Sequence, residues 1–424
     1  MSTFYQDTAD PGPRFPPLAG AAEAEVAIIG AGFAGLATAL GLVERGTRDC
    51  LLLEAETVGA GASGRNGGFV SGGFSLDAAQ LEAQLGREVA RRLYLMSEDA
   101  VQLIRDRIGR YRIDCDPVYA GVVLASWVAE DRSLRELQRF MRDSFDLHWH
   151  WMSRDETRAQ LLTERYHHAL FERDAFHFNP LKYAQGEARV LRDAGVRLHE
   201  HSQVEAIEPQ RAGWRVRTAA GSVHCRVLVV CCGATIGALY RPLSRATLPI
   251  ATYVMVTEPL GDRLRTAMRT DAAVFDTRFA FDYYRPLRDT RLVWGGRISI
   301  RERSRAAVER ILLADMLRVY PQLRGARASH AWSGLMGYAR HKMPQIGRLP
   351  NGLWYAMGFG GHGVAPTTLS GELLARAITG EAAIPAALAA YGLQPVYGGL
   401  GRLAAQATYW WMQGRDALRD WRHG

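Results

Sequence analysis

Continuous apolar runs alternate with helically spaced apolar positions near the start of the chain. Val26-Ala27-Ile28-Ile29 contains no polar position, which predicts a strand buried on both faces. Leu36, Leu40 and Val43 then share one helical face, and Gly46 stands where a helix C-terminus favours glycine. Cys50 to Leu53 reads as a second buried strand. Further on, Leu81, Leu85, Val89, Leu93 and Met96 recur at helical spacing and predict one helix over 76–110. A strand is expected at 121–125, and helices at 133–145 and 181–194, the latter closed by Gly195. Short strands follow at 196–199 and 204–207. Runs 214–218 and 223–225 flank the turn 219–222 and predict a hairpin. Val227 to Cys232 is again wholly apolar and ends at Gly233, as a central parallel strand would.

From Leu248 to Ile300 the pattern changes. Tyr253–Thr257, Phe281–Arg285 and Arg291–Arg297 are aromatic, strand-like pieces separated by turns, and they predict an antiparallel sheet. Leu369, Leu373 and Ala377 return to helical spacing, and Gly380 ends that helix. Between Val396 and Trp421, Leu400, Leu403, Ala407, Trp410, Trp411 and Leu418 lie among arginines. Packing on the chain's own domain is the simpler expectation for this tail. A membrane surface or a subunit contact is the alternative.

Composition narrows the class. A chain of 424 residues exceeds what one core usually organises, so two interlocked domains are expected. No apolar run approaches the ~18 residues that span a bilayer, and the N-terminus has no signal-peptide core. Five dispersed cysteines argue for buried thiols in a reducing, cytoplasmic setting rather than a disulfide frame. Neither CxxC nor HExxH occurs, so no metal is expected. The net charge is +8, and Lys182 and Lys342 are the only lysines. The arginines are dispersed, which argues against nucleic acid.

The first apolar block carries chemistry. Gly30-Ala31-Gly32-Phe33-Ala34-Gly35 lies between a strand and a helix, and Glu54 ends the next strand 19 residues beyond Gly35. Gly30 permits the turn, Gly32 lets the backbone approach a pyrophosphate, and Gly35 brings helix and strand together. The helix N-terminus faces the phosphates, and Glu54 is placed to take ribose hydroxyls. A second cluster, Gly59-Ala60-Gly61-Ala62-Ser63-Gly64-Arg65-Asn66-Gly67-Gly68, follows at once. A nicotinamide site has no need of it, whereas a flavin must be threaded past small residues. Ser63, Arg65 and Asn66 are the expected donors there, so FAD is the expected cofactor. Near the C-terminus, Gly358-Phe359-Gly360-Gly361-His362-Gly363 feeds another helix N-terminus.

With these motifs the chain resembles the D-amino-acid-oxidase-like flavoprotein superfamily. It looks most like the branch containing gamma-glutamylputrescine oxidoreductase. The resemblance runs from the arm Phe4-Tyr5-Gln6-Asp7-Thr8-Ala9-Asp10-Pro11, through Gly61 to Gly68, to Met357-Gly358-Phe359-Gly360-Gly361-His362-Gly363-Val364. It implies an α/β fold, a Rossmann-like FAD domain with a parallel central sheet, interlocked with an α+β substrate domain built on an antiparallel sheet. The expected FAD segments are 1–80, 160–245 and 330–385. The expected substrate segments are 81–159 and 246–329, with 386–424 as a helical tail. Val204 is implied beside the adenine and Gly233 beside the pyrophosphate. The Gly360–Gly363 loop and its helix are implied at the flavin N1–C2=O edge, with His362 bonding there, touching substrate, or satisfied by backbone. Tyr253, Tyr283, Tyr284 and Trp332 become candidates for an amine-binding aromatic cage, or else strand core.

The implied reaction is hydride transfer from an amine's α-carbon to flavin, giving an imine that hydrolyses. A polyamine derivative leads as substrate. A secondary amino acid clamped by Arg285 or Arg340, or a non-catalytic flavin-binding role, are the alternatives. Two departures matter. Sarcosine-oxidase-like members carry an oxygen-activating lysine where Trp294 aligns here, so slow reaction with oxygen and another acceptor are expected. No cysteine follows Cys232 and no histidine lies in Gly61–Gly68, so noncovalent FAD is expected.

Overall fold

The computed structural model describes residues 2–9, 12 and 14–423, with side chains through Asp420. Asp10, Pro11 and the side chain of Trp421 lie outside what is described. Two eight-stranded sheets organise the chain. In the first, Gly20–Ile29 runs parallel to Cys50–Leu53 on one side and to Gly221–Val230 on the other. Arg197–His199 and Trp354–Met357 extend it in parallel, and Gln345–Arg348 closes one edge antiparallel. The central strands are apolar throughout because both faces are covered: Val26, Ile28, Leu52 and Val229 pack into one core, Ala27, Leu51, Leu53 and Leu228 into another. Helix Phe33–Glu44 lies against Val364–Ile378, and Pro180–Asp193 packs beside it.

The second sheet runs Ala328–Tyr338, Leu248–Thr257, Leu292–Ser299, Asp282–Pro286, Ala273–Asp276, Val122–Ala125, Ala169–Glu172, His150–Met152. Its pairs are antiparallel except Ala273–Asp276 with Val122–Ala125. Helix Arg305–Val319 covers one face, where Val308, Leu312, Met316 and Val319 join the core around Met255. The other face meets the first domain. The fold is thus α/β with an antiparallel substrate domain. The hairpin 213–218 with 221–230 forms as the alternation indicates.

Four expected boundaries shift. The helix over 76–110 is two, Ala78–Leu85 and Arg87–Arg110, because Gly86 takes φ +77°, ψ 157° and ends one while starting the other. Strands Ala169–Glu172 and Ala328–Tyr338 hydrogen-bond into the second sheet, although 160–245 and 330–385 were expected to lie in the FAD unit. Helix Arg87–Arg110, expected in the substrate unit, packs its buried face on Val364–Ile378. Strand pairing and helix burial, which are long-range, set these assignments. All five cysteines are free, and burial pushes the thiols of Cys50, Cys115, Cys225 and Cys231 up to about 12.

Candidate active site

The turn after the first strand is a cradle made by close approach. Gly30 has φ +103°, and a Cβ there would lie 2.7 Å from Cys231 O. A Cβ on Gly35 would lie 2.0 Å from Gly30 O. Phe33 N donates to Ser63 Oγ at 2.9 Å, which ties the two glycine clusters together. Glu54 accepts from Ala31 N at 2.8 Å and Glu56 N at 3.0 Å. Burial raises its pKa, and those backbone N–H groups offset part of the rise. Ser202 N donates to Glu54 O, and Val204, two residues on, is buried in the core that holds Leu53. Glycine stands at the N-cap of the helix that starts at Phe33 and of the one that starts at Val364, so neither N-cap residue supplies a capping side chain. Neither helix carries an acid in its first turn, so both ends keep a positive dipole for an anion. These features fit a dinucleotide diphosphate.

The second cluster is braced by its own side chains. Arg65 Nε donates to Ala60 O at 2.7 Å, and Arg65 O accepts from Trp332 Nε1 at 2.9 Å. Asn66 Nδ2 donates to Ala62 O and Ser63 O, while its Oδ1 accepts from Gly68 N. Tyr5 OH, from the short N-terminal helix Phe4–Thr8, donates to Asn66 O at 3.1 Å. Arg65 and Asn66 therefore shape the turn with donors expected to be free for a ligand. Gly67 lies under the Tyr283 ring, where a Cβ would be 2.6 Å from Cε2. Gly295 does the same from the neighbouring strand at 2.1 Å, so Tyr283 is sandwiched between the domains. Gly337 approaches Gly233 and its carbonyl accepts from Gly360 N at 2.8 Å. That contact joins the pyrophosphate side to the C-terminal glycine loop, Gly360, Gly361, His362 and Gly363.

His362 Nε2 donates to Gly72 O at 2.6 Å, with Ser71 O at 3.2 Å. Burial lowers its pKa, and the two carbonyls offset part of this. The ring is thus neutral at neutral pH and fixed on the 71–72 backbone. Two carboxylates that sequence reasoning did not single out also meet that backbone. Glu98 presses on Gly72, where a Cβ would meet Oε1 at 2.0 Å. Glu172 accepts from the Gly72 backbone. Burial is the largest cause raising both pKa values; the like charges of Asp174 and Asp99 add to it at Glu98, and those of Glu98 and Asp174 at Glu172. Nothing in the linear spacing of positions 98 and 172 announces this pair, because a helix and a strand edge bring them together.

The sheet divides the expected aromatics. Trp332 and Tyr283 face the first domain, with Val254 and Val293. Tyr253, Tyr284 and Trp294 point the other way, into the core under Arg305–Val319. Trp294 stacks on Tyr284 at 4.2 Å, and Tyr284 OH bonds Tyr320 OH. Period-two alternation is the reason: Tyr283 and Tyr284 are neighbours and must face opposite sides. The four aromatics therefore do not share one face, and Trp294 is turned away from the first domain. Both proposed carboxylate clamps are placed otherwise. Arg285 is 2% exposed, donating to Gly67 O, Phe178 O and Tyr5 OH. Arg340 is exposed and lies over Tyr397. Among the described residues no His/Cys/Asp/Glu group is arranged to hold a metal.

A glycine-lined dinucleotide cradle, roofed by an antiparallel sheet and closed by a second helix with glycine at its N-cap, defines a two-domain flavin-binding oxidoreductase. The family model for FAD-dependent oxidoreductases of the DAO type matches residues 25–377, and the chain belongs to that family. It uses FAD and is an oxidoreductase of the kind that acts on amines and amino acids. It is 34% identical to gamma-glutamylputrescine oxidoreductase of Escherichia coli over 90% of this chain and 89% of that one. It is 31% identical to a probable oxidoreductase, OrdL, of Haemophilus influenzae over 94% and 93% of the two. Among solved structures, glycine oxidase from Geobacillus kaustophilus superposes with a TM-score of 0.73 at 22% identity, over 88% of this chain and 99% of that one.

Proposed function

We propose that this chain oxidises the carbon–nitrogen bond of a polyamine-type amine resembling gamma-glutamylputrescine. The observation that carries the reading is the acidic wall at Gly72. Glu98 and Glu172 flank the backbone held by His362, whereas Arg285 is committed to Gly67, Phe178 and Tyr5. In its ionised form this pair attracts a cationic amine, and its raised pKa values make it the stronger base that takes the ammonium's proton and leaves the nitrogen neutral for oxidation. The chemistry that bound FAD would supply is acceptance of the hydride from the carbon beside that nitrogen. Trp332, through Arg65 O, and Tyr283, against Gly67, hold the cofactor turn rigid and keep water from the seam. The imine then hydrolyses to an aldehyde and ammonia. The relative from Escherichia coli, named for such a substrate, supports the same reading.

Anaerobic mixing with a substrate panel tests this. Gamma-glutamylputrescine or a related monoacylated diamine is expected to bleach the flavin, with pipecolate and sarcosine inert. Bleaching by the amino acids alone would replace this reading with secondary amino-acid oxidation. Bleaching by none would point to a non-catalytic flavin-binding role.

A further inference from the structure

The last helix, Gly398–His423, has two unlike sides. Residues 402, 405, 406, 409, 412, 413, 416 and 420 form the inward stripe. Gln406 Oε1 accepts from Ile300 N, Arg402 donates to Ile300 O, and Tyr409 is buried beside Phe279. Both carboxylates of the described side chains are on this side: Asp416 accepts from Ala280 N, and Asp420 pairs with Arg165. The outward stripe is Leu400, Leu403, Ala404, Ala407, Trp410, Trp411 and Leu418 at 47–76% exposure for the large residues. With Tyr397, this one element holds six of the nine large apolar side chains left exposed among the described residues. A monomer seldom concentrates exposed apolar surface so strongly without a partner.

Charge selects the partner. The outward half carries Arg415 and Arg419 and no carboxylate among the described residues. Arg415 lies 5.0 Å over Trp411, and Arg419 reaches Glu130 at 3.7 Å. At the helix flank a groove of about 450 Å³ is lined by Arg278, Phe279, Met412, Arg415, Leu418 and Arg419, with the engaged Asp416. A second copy docking by two-fold symmetry would set these arginines against themselves. An anionic lipid surface instead accepts the apolar stripe among its acyl chains, the indoles at headgroup depth and the arginines on its phosphates.

The geometry points to the outward face of Gly398–Asp420 as a docking surface for an anionic phospholipid membrane. The helix lies on the bilayer and does not cross it: among the described residues no helix is long and apolar enough to span one. This inference does not depend on which amine is oxidised.

The test is co-sedimentation of the FAD-loaded, full-length protein with phosphatidylcholine vesicles, with and without phosphatidylglycerol. Binding is expected only when phosphatidylglycerol is present, and it should weaken with added salt. A Trp410→Ser, Trp411→Ser double variant should bind about tenfold less, because it loses most of the inserted area. Arg415→Glu should also reduce binding. Flavin content and substrate bleaching should stay unchanged, which separates lost docking from lost folding. No binding to the anionic vesicles, or equal binding to both vesicle types, overturns the proposal. So does a dimer in sedimentation velocity that the Trp double variant dissociates, which would assign the stripe to a second copy.

Discussion

Gly32 and Glu54 act on the cofactor through single atoms. A Cβ on Gly32 would stand 2.9 Å from Ser63 Oγ, in the gap where backbone must approach the diphosphate. Gly32→Val is expected to fold and to be purified nearly flavin-free, read as the ratio of flavin absorbance to protein. Glu54→Gln should weaken FAD more mildly. A charge-assisted hydrogen bond is worth ~1.5–3 kcal/mol, on the order of a ten- to hundredfold rise in dissociation constant. Glu98 acts through its proton. Its pKa is raised from 4.5 to about 7, chiefly by burial, so the folded chain holds that proton more tightly than the unfolded one. The stability it contributes is full below the ordinary carboxylate range and is lost as pH rises toward about 7. Glu98→Gln cannot ionise, so it should flatten the fall in melting temperature over that window and be the more stable protein above it. Melting curves across pH check the sign.

At the scale of elements, glycines and strand alternation decide more than propensity does. Gly86 separates two helices with a backbone conformation that is essentially glycine's alone, and no atom would touch a Cβ there. Gly86→Ala is therefore a pure backbone test: a loss of about 1–3 kcal/mol in denaturant unfolding is expected, with normal FAD content. The 76–110 pattern continues in phase across this point, which is why periodicity alone predicts one helix. The substrate sheet shows the converse. Its strands were legible at 253–257, 281–285 and 291–297, but not the face each aromatic takes. Trp294 is fully buried against Tyr284 and Tyr320, on the side away from the FAD domain. Trp294→Lys should thus fail to speed reaction with oxygen. It should instead place an ammonium in an apolar core and reduce soluble yield.

On the scale of the whole molecule, the two sheets meet along a seam whose ligands are mostly backbone. Nothing in the chemistry of Gly61–Gly68, of the four buried thiols or of the half-buried Cys232 favours a covalent link. Acid precipitation is expected to leave the flavin in the supernatant, and colour in the pellet would overturn this. The expectation for the electron acceptor rests on charge. Oxygen is reduced faster beside a fixed ammonium, yet Lys182 lies on helix Pro180–Asp193, Lys342 follows the last strand of the second sheet, the guanidiniums of Arg65 and Arg285 are turned to backbone carbonyls, and burial holds His362 neutral. Substrate-reduced enzyme should reoxidise more slowly with oxygen than with an artificial acceptor in stopped-flow mixing. Equally fast reoxidation would make it an efficient oxidase.

The sequence by itself determined the cofactor cradle. Gly30, Gly32, Gly35 and Glu54 lie within one strand–helix–strand unit, and local spacing there is the chemistry. It also determined that an antiparallel aromatic sheet follows a parallel one, because alternation and continuous burial are written along single strands. The tertiary structure alone decided which residues face the site. Tyr283 rather than Tyr284 reaches Gly67 because strand register sets the face. Arg285 serves the turn instead of a substrate because Gly67, Phe178 and Tyr5 converge on it from three distant segments. Glu98 and Glu172 become a pair only when a helix and a strand end close around Gly72. Such contacts join residues far apart in the chain, and no periodicity within a segment encodes them.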